Sequence, residues 1–408
     1  MNLAILSTSY APEPTGIGPY SAELAESLAE RGHGVRVVAC FPYYPDWVQR
    51  VPKGTFLYRT ERRNAVSVTR CRTYVPTNPR PSKRLLHELS WISSAFPIVL
   101  GLVRWADAWV VVTPDFGSAL LGACIARCLK RPTHVHVQDL VPDVAIESGQ
   151  ITSRTLRSLA RKLGEWTYRS FASASVISEA MGVRLQHYVG PDRPRVLVAP
   201  NWARTMVGET RFLPAELWGR KYIVYAGSLG QKQDLSMLLR VADLLEAREG
   251  PLVVVLGDGP GRETLRGRGS NLRWLGLVED RTYAAVVSSA LAGVVALVPS
   301  VSDSVMPSKL VGYLAAGTPV VMAAAPETEA ARLVRQINCG IVVSPGDSEQ
   351  LADAVYRLFL DPTLSPTLGQ RGKAYADTHW NRGAAVDALE GALLRLERAT
   401  SQPSCRLV

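Results

Sequence analysis

Three stretches of the sequence combine glycine with lysine, serine or proline where a short apolar run gives way to a helical pattern. In a parallel α/β sheet such a junction aims backbone N–H groups and the positive end of a helix dipole at one point, which suits an anionic ligand. In Tyr10-Ala-Pro-Glu-Pro-Thr-Gly-Ile-Gly-Pro-Tyr20, Gly16 and Gly18 permit close approach and Pro19 takes a favoured first-turn position. In Tyr225-Ala-Gly-Ser-Leu-Gly-Gln-Lys-Gln-Asp-Leu235, Gly227, Ser228 and Gly230 follow a strand, and Lys232 and Gln233 sit just ahead of a helix. In the stretch from Asp303 to Val321, Pro307 and Ser308 precede Lys309, Ser308 is placed to cap a helix, and Gly317 ends it. A lysine in a first turn opposes the helix dipole at a cost of ~0.3–1 kcal/mol, so Lys309 points to an anion that offsets it.

Other chemistries find little support. Cys40, Cys71, Cys124, Cys128, Cys339 and Cys405 form no Cys-x-x-Cys, no zinc spacing and no pairing with histidine. Reduced thiols of a cytosolic protein are expected instead of a metal knuckle or a disulfide frame. No Asp-x-Asp occurs anywhere, and no Gly-x-Gly-x-x-Gly follows the first apolar run, which argues against a dehydrogenase.

The elements that must position these junctions are legible in the pattern of the 408 residues, 47% of them hydrophobic. Short apolar runs alternate with amphipathic stretches along the whole chain, the mark of a parallel sheet covered on both faces. Strands are expected at Asn2 to Ser7, Val35 to Ala39, Trp109 to Thr113, His134 to Gln138 and Ser175 to Ser178 in the first half. The second half has Tyr222 to Ala226, Leu252 to Leu256, Gly293 to Val298 and Thr318 to Met322. The expected fold class is therefore α/β with two Rossmann-like domains, 1–205 and 210–380, divided near Glu209. A helix over 381–399 and a tail at 400–408 follow.

Net charge is +10, and the excess is local: Arg50 to Arg84 alone are +9. No recognition helix or stacking platform accompanies these residues, so nucleic acid is not expected. Arg80, Lys83 and Arg84 immediately precede the apolar, tryptophan-containing stretch Leu85 to Val103. That arrangement suits an anionic membrane surface, with Trp91 among the apolar residues that insert. Trp91 to Val103 is too short to span a bilayer, and Met1 to Leu6 carries no signal-peptide pattern.

The Pro-x-x-x-Gly-Ile-Gly loop at Pro12 to Gly18, Leu24-Ala-x-x-Leu28-x-x-Arg31-Gly-His-x-Val35, Ala199-Pro-Asn201, Gly257-Asp-Gly-Pro260 and Ala315-Ala-Gly-Thr-Pro-Val-Val321 carry a resemblance that spans nearly the whole chain. Together they resemble the retaining glycosyltransferases of family 4, which have the two-Rossmann GT-B fold. Val137-Gln-Asp-Leu140, Asn201-Trp202 and Pro307-Ser-Lys309 look most like the bacterial exopolysaccharide branch, including colanic-acid-type transferases. Two positions depart from the family pattern: Ser304 and Gly312 stand where glutamates are usual. The usual strand-end histidine of the acceptor side aligns with Gln138, and the usual arginine and lysine of the second junction align with Ser228 and Gln233.

The resemblance implies two domains facing across a cleft, with the C-terminal helix returning to the first. It implies transfer of a sugar from a nucleotide diphosphate donor, with retention, to a lipid-linked glycan, and without metal or cofactor. Gly16, Gly18, Gly227, Ser228, Lys232, Gln233, Pro307, Ser308 and Lys309 would hold the donor, and Gln138 and Asp139 would contact the sugar or acceptor. A cytoplasmic protein peripheral at the inner face of the cell membrane is expected. The rival readings are a sugar-nucleotide 2-epimerase and a non-catalytic subunit that binds a sugar nucleotide or lipid carrier.

Overall fold

Branched apolar runs without polar alternation are stable only as strands covered on both faces, and two sheets of that kind form. The structure, a computed structural model, describes residues 1–401 apart from 15, 148, 192–195, 204–207, 231–232, 260, 266–269 and 299–305, with the backbone alone for 399–401. The chain divides into two compact units, Met1–Pro200 with the C-terminal residues from Gly383, and Asn201–Arg382. The division thus falls ahead of Glu209.

The first unit runs β1 (Asn2–Leu6), α1 (Gly18–Glu30), β2 (Gly34–Cys40), β3 (Tyr58–Arg63), β4 (Val66–Cys71), α2 (Pro81–Leu102), β5 (Ala108–Val112), α3 (Phe116–Arg127) and β6 (Thr133–Val137). It continues with α4 (Val141–Glu147), α5 (Arg154–Tyr168), β7 (Ser173–Val176), α6 (Glu179–Val189) and β8 (Leu197–Val198). The sheet order is β3-β4-β2-β1-β5-β6-β7-β8, with every pairing parallel except the hairpin β3/β4. The chain moves outward from β1 to β2 and then reverses through β5 to β8. Right-handed crossovers therefore put α1 on one face and α2, α3 and α5 on the other. On that second face α2 packs against α3, and α3 against α5.

The hairpin occupies part of the basic stretch, where no strand is expected from the sequence. β3 is exposed along its whole length and reads Tyr-Arg-Thr-Glu-Arg-Arg, so apolar alternation cannot reveal it. Charge is the usual guard of an edge strand against further pairing. Asn64 turns the hairpin at φ 53°.

The second unit comprises β9 (Tyr222–Ala226), α7 (Leu235–Ala247), β10 (Leu252–Leu256), α8 (Arg262–Leu265), β11 (Leu272–Gly276), α9 (Asp280–Ser288), β12 (Ala292–Ala296), α10 (Ser308–Ala315), β13 (Val320–Ala323), α11 (Glu329–Gln336), β14 (Gly340–Val343), α12 (Ser348–Leu360) and α13 (Leu364–His379). Its strands lie in the order β11-β10-β9-β12-β13-β14, all parallel. Edge strands β11 and β14 were also beyond the sequence pattern, because they are only half buried. The last helix, α14 (Arg382–Ser401), returns to the first unit.

Candidate active site

In an open parallel sheet the strand order reverses at one place, and the loops there diverge and leave a crevice at the carboxyl edge. In the second unit that place lies between β9 and β12, which pair only through Ala292 with Ile223 and Gly293 with Val224. Tyr313 of α10 fills the gap. Its hydroxyl accepts from the backbone N–H of Ala226 at 2.7 Å and lies 3.2 and 3.3 Å from the carbonyls of Val224 and Val294. Gly293 makes room, since a Cβ there would stand 2.4 Å from the Tyr313 ring.

Lys309 lies one helical turn before Tyr313 on the same side of α10, so the fixed tyrosine aims the lysine. Lys309 is 8% exposed. Its Nζ donates to Gln233 Oε1 at 2.6 Å and stands 3.9 Å from the centre of the Tyr225 ring. Among the described residues no carboxylate pairs with it, and burial pushes its pKa down to about 7. Gly227, at φ 147°, passes directly beneath: a Cβ would meet Lys309 Cε at 3.2 Å. Ser228 accepts from the Tyr225 hydroxyl through its carbonyl at 2.7 Å.

The N-cap of α10 is Pro307, which has no hydrogen-bonding side chain. Ser308 is therefore the exposed first residue of the helix and does not cap it, contrary to the sequence expectation. Proline imposes a suitable entry angle but offers no side-chain oxygen to the first-turn N–H groups. Gly312 faces the Tyr283 hydroxyl, 3.2 Å from where a Cβ would lie. Lys232, Ser304 and Pro260 lie outside the described residues. The glycines of the Gly257 motif have a packing role: a Cβ on Gly257 would come 2.0 Å from the Gly227 carbonyl oxygen. The two loops therefore brace each other.

In the first unit the reversal lies between β1 and β5, and the loop leaving β1 carries Gly16 and Gly18. Gly16 turns at φ 70° against the Tyr44 ring, and Gly18 opens α1 behind Ile17, again without a capping side chain. Glu13 ties this loop to the one after β2, its Oε1 accepting from the N–H groups of Tyr43 and Tyr44 at 2.9 and 3.0 Å. Arg70 ties it to the sheet. Its guanidinium, 2% exposed, donates to the carbonyls of Ala11 and Cys40 and pairs with Glu61 at 2.9 Å. One charge of the basic stretch is therefore internal to the fold.

Gln138 belongs to a buried polar chain that the apolar pattern of the sequence does not reveal. An amide nitrogen only donates, so Gln138 Nε2 donates to His136 Nε2 at 2.9 Å and His136 carries its proton on Nδ1. That Nδ1–H donates to Ser175 Oγ at 2.8 Å, Ser175 to His134 Nε2 at 2.7 Å, and His134 Nδ1–H to Ser173 Oγ at 2.7 Å. Burial pushes the two histidines down to about 3 and 4, which keeps both neutral. The signal was the alternation His134-Val-His136 on an otherwise apolar strand. Asp139 follows, half buried, on the same loop. Gln138, Asp139, Gly16 and Gly18 thus belong to the first unit, and Gly227, Ser228, Gln233, Pro307, Ser308 and Lys309 come together in the second.

Of the expected membrane-surface residues, Arg80 and Lys83 are exposed. Arg84 is half buried, with Nε donating to the Pro79 carbonyl at 3.0 Å and its guanidinium 5.4 Å from the Trp47 ring. Trp91 is a correction: it is fully buried and donates to Ser118 Oγ at 2.9 Å. It lies on the stripe with Ala95 and Val99 that seats α2 on the unit. With 22 residues, α2 is longer than its apolar segment suggested and, among the described residues, is the one helix long and apolar enough to cross a bilayer.

Two open, mainly parallel sheets, each with one reversal of strand order, are the architecture of the GT-B class of glycosyltransferases. Solved structures agree on this fold. Sucrose-phosphate synthase from Thermosynechococcus elongatus superposes with a TM-score of 0.73 at 18% identity over 98% of this chain and all of that one. HepE of Anabaena, in complex with UDP-glucose, does so at 0.67 and 14% identity over 97% of this chain and all of that one. Residues 15–202 match the glycosyl transferase 4-like domain and residues 220–361 the glycosyl transferases group 1. The chain belongs to glycosyltransferase family 4. It is 29% identical over 382 residues to WcaI of Escherichia coli K12, a glycosyl transferase assigned to colanic acid biosynthesis, covering 89% of this chain and 93% of that protein.

Proposed function

We propose that the protein moves a hexosyl group from a nucleotide diphosphate sugar to a lipid-linked glycan, with retention of anomeric configuration, in the biosynthesis of an exopolysaccharide. The observation that carries this reading is Lys309, a buried lysine without a carboxylate among the described residues, in the first turn of a helix that lacks a side-chain cap. The name of WcaI and the UDP-glucose bound to HepE support the substrate classes.

Transfer breaks the bond from the anomeric carbon to a phosphate oxygen, and the electron pair stays on the diphosphate. Lys309, the first-turn N–H groups of α10 and the backbone at Gly227 stabilise that charge, aided by Ser308, Ser228, Gln233 and Lys232. The acceptor hydroxyl attacks on the face the leaving group departs from, and its proton passes to a donor phosphate oxygen. No protein nucleophile, metal or cofactor takes part, since lysine supplies the cation. Gln138 and Asp139 contact the sugar or the acceptor. The acceptor is presented at the inner face of the cell membrane, where the protein is peripheral, through Arg80, Lys83 and the exposed Leu85, Leu86, Leu89, Phe96 and Leu100 of α2.

The test is turnover of labelled UDP-, GDP- and dTDP-sugars with a membrane extract, with labelled lipid as the expected product. A free isomer of the donor would instead indicate an epimerase, and no product a binding subunit. A charge-assisted hydrogen bond contributes ~1.5–3 kcal/mol, so Lys309→Ala should lower kcat/KM by about ten- to a few-hundredfold. A variant within about twofold of wild type would remove Lys309 from the site.

A further inference from the structure

Helix α5 is built with its apolar face outward. Leu156, Leu159, Leu163 and Trp166 follow the spacing i, i+3, i+7, i+10, which places them on one side of the helix. They are 54%, 60%, 39% and 41% exposed. The side that faces the unit carries Gly164, Thr167 and Tyr168, with Gly164 closely packed against Tyr188 and Pro142. A helix that only completes a core turns its leucines inward, and an exposed apolar stripe of this length marks a contact surface.

The charge around the stripe selects the partner. Arg154, Arg157, Arg161 and Lys162 accompany it against Glu165 alone. Arg127, at the end of α3, lies 5.3 Å from the Trp166 ring and donates to Ser170 Oγ. Leucine and tryptophan on one side with arginine and lysine beside them is the composition of a helix lying at the headgroup boundary of an anionic bilayer. Two copies pairing through this stripe would bring like charges together, which disfavours a dimer.

We infer that α5 is a second bilayer-contact helix, and that the first unit meets the membrane through one face formed by α2, α3 and α5. This rests on the membrane reading of α2 above. All three helices lie on the same face of the sheet, with α3 in the middle. Cys124 on α3 and Cys128 at its C-terminal cap are exposed.

Flotation of the full chain with phosphatidylcholine vesicles, with and without phosphatidylglycerol, tests the inference. Each basic residue near an anionic surface contributes ~1 kcal/mol, so Arg161→Gln with Lys162→Gln should weaken binding by about thirtyfold. Leu159→Glu with Leu163→Glu should abolish flotation while leaving the unfolding midpoint unchanged. If those α5 variants float like wild type while Leu85→Glu with Leu89→Glu does not, α5 is excluded and α2 alone is the contact. If wild type does not float at all, both readings fall. A wild-type dimer that Leu159→Glu with Leu163→Glu separates would also overturn the inference, since the occupant would be a second copy. In the Cys405→Ser background, a polarity-sensitive dye on Cys124 and Cys128 should shift to the blue on anionic vesicles. Floating protein with unshifted dye counts against α3 lying in the face.

Discussion

A buried lysine without a carboxylate costs free energy unless it sheds its proton or finds an anion. Lys309, which has no carboxylate partner among the described residues, shows the first side of that balance. Burial holds its pKa near 7 instead of the ordinary 10.5. Binding a diphosphate requires the charged form, so above about pH 7 the donor must bring a proton with it. Donor KM should therefore rise with pH beyond that point, by up to about tenfold per unit. Calorimetry at alkaline pH in two buffers of different ionisation enthalpy should show proton uptake, and a pH-independent KM without uptake would contradict this role. The stability sign is consistent. Because the unfolded chain binds the proton more tightly, the protein without donor gains stability as pH rises from about 7 toward 10.5. Arg70 is buried as deeply for a different end, since its partners are two carbonyls and Glu61. Position among neighbours separates a buried cation that keeps its charge through carbonyls and a carboxylate from one whose charge burial opposes.

At the scale of the element, α10 joins fold and chemistry through two residues four apart. Tyr313 substitutes its hydroxyl for the ladder hydrogen bonds that β9 and β12 do not make, and one turn earlier Lys309 is held against Gly227 and the Tyr225 ring. Tyr313→Phe leaves the buried N–H of Ala226 without its acceptor, which should cost ~1–3 kcal/mol. A lowered denaturant midpoint with unchanged slope would show this, and an unchanged midpoint would show that the hydroxyl is replaceable. The longest helix of the first unit, α2, divides its labour around its circumference. Trp91, Ala95 and Val99 are buried, while Leu85, Leu89, Phe96 and Leu100 are exposed. Composition showed an apolar helix beside basic residues, but which side each residue took depended on α3, where Ser118 receives the Trp91 N–H.

At the scale of the molecule, the chain leaves the second unit and ends on the first. The contact uses the Arg31-Gly-His33 segment that closes α1. Arg31 pairs with Asp387 and Glu390, both at 2.6 Å, and His33 Nε2 meets Glu390 Oε1 at 2.8 Å. Hydrogen bonds from His33 and Arg31 hold the Glu390 carboxyl below its usual range. A depressed carboxylate adds stability that is present above its unfolded value and lost as pH falls through the folded one. Glu390→Gln should thus lower stability by about 1 kcal/mol at neutral pH and less in acid, and hydrogen exchange in α14 should speed up accordingly. The sequence by itself determined the class of fold and the strand ends at which glycine, proline and lysine gather. Apolar runs and glycine, proline and lysine at strand ends act through local geometry, which the chain carries with it. Only the tertiary structure decided that Ser308 does not cap its helix, that Trp91 is internal, that Arg70 belongs to the core and that Gln138 is oriented by His136. It also decided that α5 turns its leucines outward. Each of those depends on residues distant in the chain, whose packing and hydrogen bonds select among conformations that local pattern leaves equivalent.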